Sequence, residues 1–178
     1  MTWMALLAAK TVAEITVTGG SSTQRDLVKQ AAGFYIDQLF VKKHKYLRDM
    51  LVLEFELVKN LFDDEHCKAD CLPFEDDDGN MLDYEIRIDS SMNMLALLAG
   101  VAHEMVHVKQ YATKELCDTR KPTVSKWRGE KINWKKLDYY EHPWEIEAYG
   151  REIGLLENFV QKKHYTKTKW YLRDPDYL

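Results

Sequence analysis

Apolar positions along this chain group into three long helical patterns and three short alternating ones. Between residues 93 and 111 there is no proline and a single glycine, Gly100, and residues 94–102 are apolar on every face. That pattern predicts a helix buried all round, with Asp89, Ser90 and Ser91 as candidate N-caps and with Gly100 and Ala102 leaving room for neighbours. Ser21, Ser22 and Thr23 offer caps for another helix running to about Phe40, because Leu27, Ala31, Phe34, Leu39 and Phe40 keep helical spacing. A third begins at Pro143, a residue suited to a first helical turn, and runs to about Lys162. Strands are predicted at 13–18, stopped by Gly19-Gly20, at 51–57 with Leu51, Leu53, Phe55 and Leu57 on one face, and at 81–89. In the last, Tyr84, Ile86 and Ile88 alternate with Glu85 and Arg87, and an exposed strand here would accept an extended peptide along its edge. Residues 76–80 read as a solvated turn, with Asp78-Gly79 a hairpin signal and no ligand at the spacing a calcium loop needs.

Composition narrows the class. With 178 residues, 46% hydrophobic and 30% charged, the chain is expected to form one domain over 1–178. Its longest apolar stretch is about 9 to 10 residues, too short to cross a bilayer. Residues 1–9 are apolar but lack the basic start and cleavage site of a secretion signal, so a cytoplasmic protein is expected. Cys67, Cys71 and Cys117 are odd in number, which argues for free thiols over a disulfide framework. The net charge of −4 is uneven: 63–89 holds 11 acidic and 2 basic residues, while 118–137 holds 7 basic and 2 acidic. Trp127 and Trp134 fall in the basic stretch, a combination that can bind single-stranded nucleic acid. A solvated loop is the preferred reading of that stretch, because the chain as a whole is acidic.

The chemistry concentrates in His103-Glu104-Met105-Val106-His107. On a helix, residues four apart share a face, so two imidazoles can take adjacent tetrahedral positions on one zinc ion. Glu104 lies about 100° round the helix and can reach water at the metal without occupying it. Random order of this composition would produce the pattern about 0.02 times. Two His and a Glu in so apolar a helix are costly to bury without a partner.

A third protein ligand is needed, with water in the fourth position. Gln110 and Thr113 stand where a metzincin arrangement would need Gly and His. The third helix supplies an alternative. At 100° per residue, Glu145 falls in the middle of an apolar stripe made by Ala148, Tyr149, Ile153, Leu156, Phe159 and Val160, whereas Glu147 faces the polar side. A carboxylate on a buried stripe needs a partner, and a metal is a good one. Glu145 is therefore the expected third ligand. Glu152, two turns on, is expected to support a ligating His.

His103-Glu104-x-x-His107 followed by Glu145-x-Glu147-Ala148 resembles the gluzincin metallopeptidases, especially the small single-domain members, over about residues 51–160. The resemblance implies a zincin-like α+β fold: an N-terminal helix, a small, mostly antiparallel sheet, an active-site helix and a C-terminal glutamate helix. It also implies zinc on His103, His107 and Glu145, and peptide-bond hydrolysis by a zinc-bound water that Glu104 deprotonates. Many gluzincins carry Asp four residues after the ligand glutamate. Here that position is Tyr149, which leaves Glu152 as its substitute. Tyr139, Tyr140, His142, Tyr149 and His164 are candidate oxyanion donors, and Tyr149, nearly on the ligand face, leads as a catalytic residue. Residues 113–136, rich in charge and holding Pro122 and Gly129, are expected to form a lid. The motif helix with a basic Trp-Gly stretch is also similar to the SprT-like metalloproteases, some of which act at DNA, although Arg128-Gly129 stands in place of the His-Gly pair from which they take their third His. The alternatives are thus a zinc-holding interaction domain that cleaves slowly or never, and a nucleic-acid-associated protease.

Overall fold

A computed structural model describes residues 13–172; the apolar residues 1–9 lie outside the described residues. Strand β1 (Glu14–Gly19) leads into helix α1 (Ser22–Leu39), a 3-10 segment (Lys42–Met50) and β2 (Val52–Val58). A short helix α2 (Leu61–Glu65) precedes the hairpin β3 (Ala69–Glu75) and β4 (Met81–Asp89), after which comes the long helix α3 (Met94–Ala112). Three short strands follow, β5 (Leu116–Asp118), β6 (Val124–Trp127) and β7 (Glu130–Asn133), then 3-10 turns at Trp134–Lys136 and Tyr139–Glu141. Helix α4 (Pro143–Lys162) and the short α5 (Lys169–Leu172) complete the described chain. The α+β organisation expected from the sequence is observed.

Local chemistry explains the boundaries. Ser21 caps α1 in a capping box, accepting from the Gln24 N–H while the Gln24 side chain accepts from the Ser21 N–H. Helix α3 is capped by Asn93, which accepts from the Ala96 N–H at 2.8 Å, and not by Asp89, Ser90 or Ser91. Asp89 is used elsewhere. Its carboxylate accepts from the backbone N–H groups of Phe62 and Ser91 and so fixes the start of α2.

The principal sheet has the order β1-β2-β4-β3. It is mixed and not mostly antiparallel: β1 pairs with β2 and β2 with β4 in parallel, and only β3 runs antiparallel to β4. The reason is that apolar alternation looks the same in either direction, whereas α1 carries the chain back across the sheet, as a parallel pairing requires. Strand β4 is interior, so the peptide-binding edge expected at Tyr84 to Ile88 is already taken, by β3. The inward faces of β2 and β4, with Leu53, Phe55, Leu57, Tyr84, Ile86 and Ile88 all buried, receive α1 and α3, and α4 packs on α3.

The second sheet, β5-β6-β7, is antiparallel. It occupies the stretch expected to be a lid, and it is ordered structure, not an open loop. None of its residues joins the main apolar core, which has no member between Ala112 and Ala148. It is fastened by charge instead. Lys109 of α3 reaches Glu115 at 2.6 Å and Glu147 at 3.4 Å, and Arg128 pairs with Glu115 at 3.0 Å and Glu147 at 3.2 Å. Arg128 also lies over the Trp127 ring, and Trp127 meets Trp144. Trp127 and Trp134, the two tryptophans of the basic stretch, are both half-buried, Trp134 beside His142. Among the described residues, no helix is long and apolar enough to cross a membrane, and all three cysteines are free.

Candidate metal centre

The seam between α3 and α4 gathers the polar residues that the apolar pattern cannot explain. His103 and His107, one turn apart on α3, face α4, where Glu145 sits in the first turn. A carboxylate is favoured there by the positive end of the helix dipole. All three are buried, Glu145 to 5% exposure.

Their donor atoms converge. His103 Nε2 and His107 Nε2 are 3.2 Å apart, His103 Nε2 lies 3.3 Å from Glu145 Oε2, and His107 Nε2 lies 3.5 Å from Glu145 Oε1. Three ligands at tetrahedral corners around an ion at about 2.0–2.1 Å would be spaced by about 3.3–3.4 Å. The donor set and its spacing therefore fit a metal ion, and the group can hold one.

Each imidazole is oriented from behind. His103 Nδ1–H donates to Glu152 Oε2 at 2.9 Å, the support expected of Glu152. His107 Nδ1–H donates to Gln110 Oε1 at 2.9 Å. Gln110 is fully buried, and its amide N–H groups donate to the Trp144 carbonyl and to Glu147 Oε2, which fixes which way the amide points. In its neutral form each ring therefore keeps its proton on Nδ1 and turns the Nε2 lone pair to the common point. Sequence reasoning passed over Gln110, whose only signal is its position three residues after His107. Glu147 is bound by Lys109, Arg128, Arg151 and Gln110 and takes no part in the cluster.

Burial and charge set the protonation of the metal-free cluster. Burial works to lower His103, but hydrogen bonds to Glu145 and Glu152 outweigh it and lift the ring to about 9. His107 is raised in the same way, against burial, by Glu145 and Glu104. Burial pushes Glu145 up, yet His103 and His107 bring it down to about 2. Glu104 differs. Burial raises its carboxyl to about 7, with the nearby histidines only partly opposing. The residue is 5% exposed.

The tyrosines divide. Tyr149 lays its ring against His103, with centroids 4.6 Å apart, and its hydroxyl meets Tyr140. Burial, then Tyr140 and the carboxylates, pushes it up to about 12. Tyr149 and Ile153 are not buried within the stripe; both stand exposed at its flank. The hydroxyl that reaches a ligand carboxylate belongs to Tyr139, which donates to Glu145 Oε2 at 2.9 Å. His142 is engaged with the Trp134 carbonyl at 3.1 Å, and His164 sits in a left-handed turn after α4, outside the cluster. Arg128 and Gly129 form the tight β6–β7 turn, both at positive φ.

No family model matches the chain, and neither does any curated protein or solved structure.

Proposed function

We propose that the α3–α4 seam is the active site of a zinc-dependent peptidase, with His103, His107 and Glu145 as ligands and Glu104 as general base. The observation that carries this reading is Glu104. Glu104 is 5% exposed, and burying a carboxylate in an apolar helix is costly; a site that merely held a metal would have no use for it. It stands beside the two histidines, and in the metal-free site burial raises its affinity for protons, the environment of a group that takes up and releases a proton.

Two imidazoles and one carboxylate at tetrahedral spacing are a zinc donor set that leaves a fourth position open. Zinc so held supplies Lewis acidity, acidifying water and polarising a peptide carbonyl. Glu104 takes the proton from the attacking water and delivers it to the departing amine. Glu152 and Gln110 hold the two imidazoles in one tautomer, so the ligand atoms are aimed before the metal arrives. Tyr149, against His103, and Tyr139, on Glu145, are the donors within reach of a developing oxyanion. Three free thiols suit a reducing compartment, the cytoplasm.

The test measures metal content by elemental analysis and hydrolysis of an unstructured protein by wild type, Glu145→Ala and Glu104→Gln. Wild type and Glu104→Gln should hold about one zinc and Glu145→Ala little. Glu104→Gln should lose about 10²- to 10⁴-fold in rate. Equal rates in wild type and Glu104→Gln would favour the non-catalytic, zinc-holding domain instead.

A further inference from the structure

A cavity of about 240 Å³ opens beside the metal cluster, with Glu145 itself in one wall. It lies between the second sheet and the start of α4. That volume is below the range of sites for drug-sized ligands and suits a single side chain. Tyr111, Trp134, Tyr139 and Trp144 make the walls aromatic. An aromatic box alone would take an apolar residue. This one also contains Asp118, whose Oδ1 accepts from the Ser125 hydroxyl at 3.3 Å. Ser125 is buried and orients the carboxylate, and no Lys or Arg among the described residues forms an ion pair with Asp118.

A carboxylate at the rim of an aromatic cavity recognises a cation on an apolar stem. The stem is desolvated by the rings, whose faces attract the cation, and the carboxylate supplies the counter-charge. We propose that this cavity receives a lysine or arginine side chain of the bound peptide chain, with Asp118 as the specificity-determining residue. The assignment rests on the peptidase reading only for the position of that side chain, next to the bond cut. Cation binding in the cavity does not depend on turnover.

The experiment has two arms. In the first, zinc-loaded Glu104→Gln protein is titrated calorimetrically with two peptides that differ only in lysine against norleucine. The lysine peptide should bind on the order of ten- to a hundredfold tighter. Adding Asp118→Asn should bring the ratio close to one, and Asp118→Lys should shift preference to a glutamate peptide. In the second arm, zinc-loaded wild type digests an unstructured protein and the cut sites are mapped by mass spectrometry; cuts should cluster beside Lys and Arg. Equal binding of the lysine and norleucine peptides overturns the proposal, as does a ratio unchanged by Asp118→Asn. Cleavage without basic preference, together with equal binding, refutes the subsite and leaves the peptidase. Lysine-selective binding without any cleavage refutes the peptidase and leaves the cation site.

Discussion

Replacing Gln110 by Met tests the support behind His107, because Met keeps the volume of a fully buried side chain and removes its polar atoms. Three hydrogen bonds vanish: the one from His107 Nδ1, and those to the Trp144 carbonyl and Glu147. Glu147 keeps Lys109, Arg128 and Arg151 and loses little. The His107 N–H and the Trp144 carbonyl are left in buried residues, at about 1–3 kcal/mol for each group that finds no substitute. A total of roughly 2–6 kcal/mol for the two groups corresponds to a Tm lower by about 4–24 °C for a chain of this size. The effect on the metal is separate. With Nδ1 no longer tied, the ring can turn or change tautomer, and loss of such support lowers metal affinity by about 10- to 100-fold. Differential scanning calorimetry reads the first quantity and competition with a chromogenic chelator the second. Gln110→Glu, which keeps an acceptor for Nδ1–H, should recover affinity more than stability, since it sets a carboxylate against Glu147. Zinc affinity within twofold of wild type in Gln110→Met would refute the reasoning.

Other outcomes follow from the same geometry. Below about pH 9 protons hold His103 against a metal, so zinc affinity should rise with pH, by up to about tenfold per unit for each proton displaced, and level off above that value; a flat profile by chelator competition between pH 6 and 8 would contradict the raised histidines. Tyr139→Phe and Tyr149→Phe separate the two hydroxyls: the one that stabilises the oxyanion should lose about 10²- to 10³-fold in kcat with zinc content unchanged. Gly19→Ala should destabilise by about 2 kcal/mol or more in urea unfolding, because its φ is +70° and a Cβ would stand 2.3 Å from the Leu57 carbonyl oxygen. At Gly100 an added Cβ meets its neighbours at 3.8 Å or beyond, so Gly100→Ala should be neutral or stabilising by about 0.5–1 kcal/mol.

Much of the site was legible in the order of residues. The three long helices could be read because their apolar spacing runs over several turns. Glu145 could be separated from Glu147 because only one falls on the buried stripe, and Glu152 followed from the same wheel. The cap of α3 was missed because Asp89, Ser90, Ser91 and Asn93 are all cap-formers within five positions, and only tertiary bonds, of Asp89 to Phe62 and of Ser91 to Asn60, draw the competing side chains away. Strand direction was hidden since alternation is blind to it. The second sheet escaped because its strands are 3–4 residues long and set lysine opposite lysine, Lys126 facing Lys131, a pairing that local pattern disfavours. Tyr139 could not be ranked above Tyr149 by helical spacing, because it precedes the helix and enters the cluster through the turn capped by Asp138.

The segment between Ala112 and Pro143 contributes no ligand atom and nothing to the apolar core, yet it walls much of the cavity beside the cluster. It works as an exchangeable attachment. On the peptidase reading, a lineage carrying this scaffold would change which chains it binds by trading residues 113–137 while Tyr139 and the metal-holding residues stay as they are. For an engineer, Ala112 and Asp138 are the natural splice points: grafts between them leave the packing of α3 on the sheet unbroken, keep Tyr139 on Glu145, and have to restore the charges that meet Lys109 and Glu147.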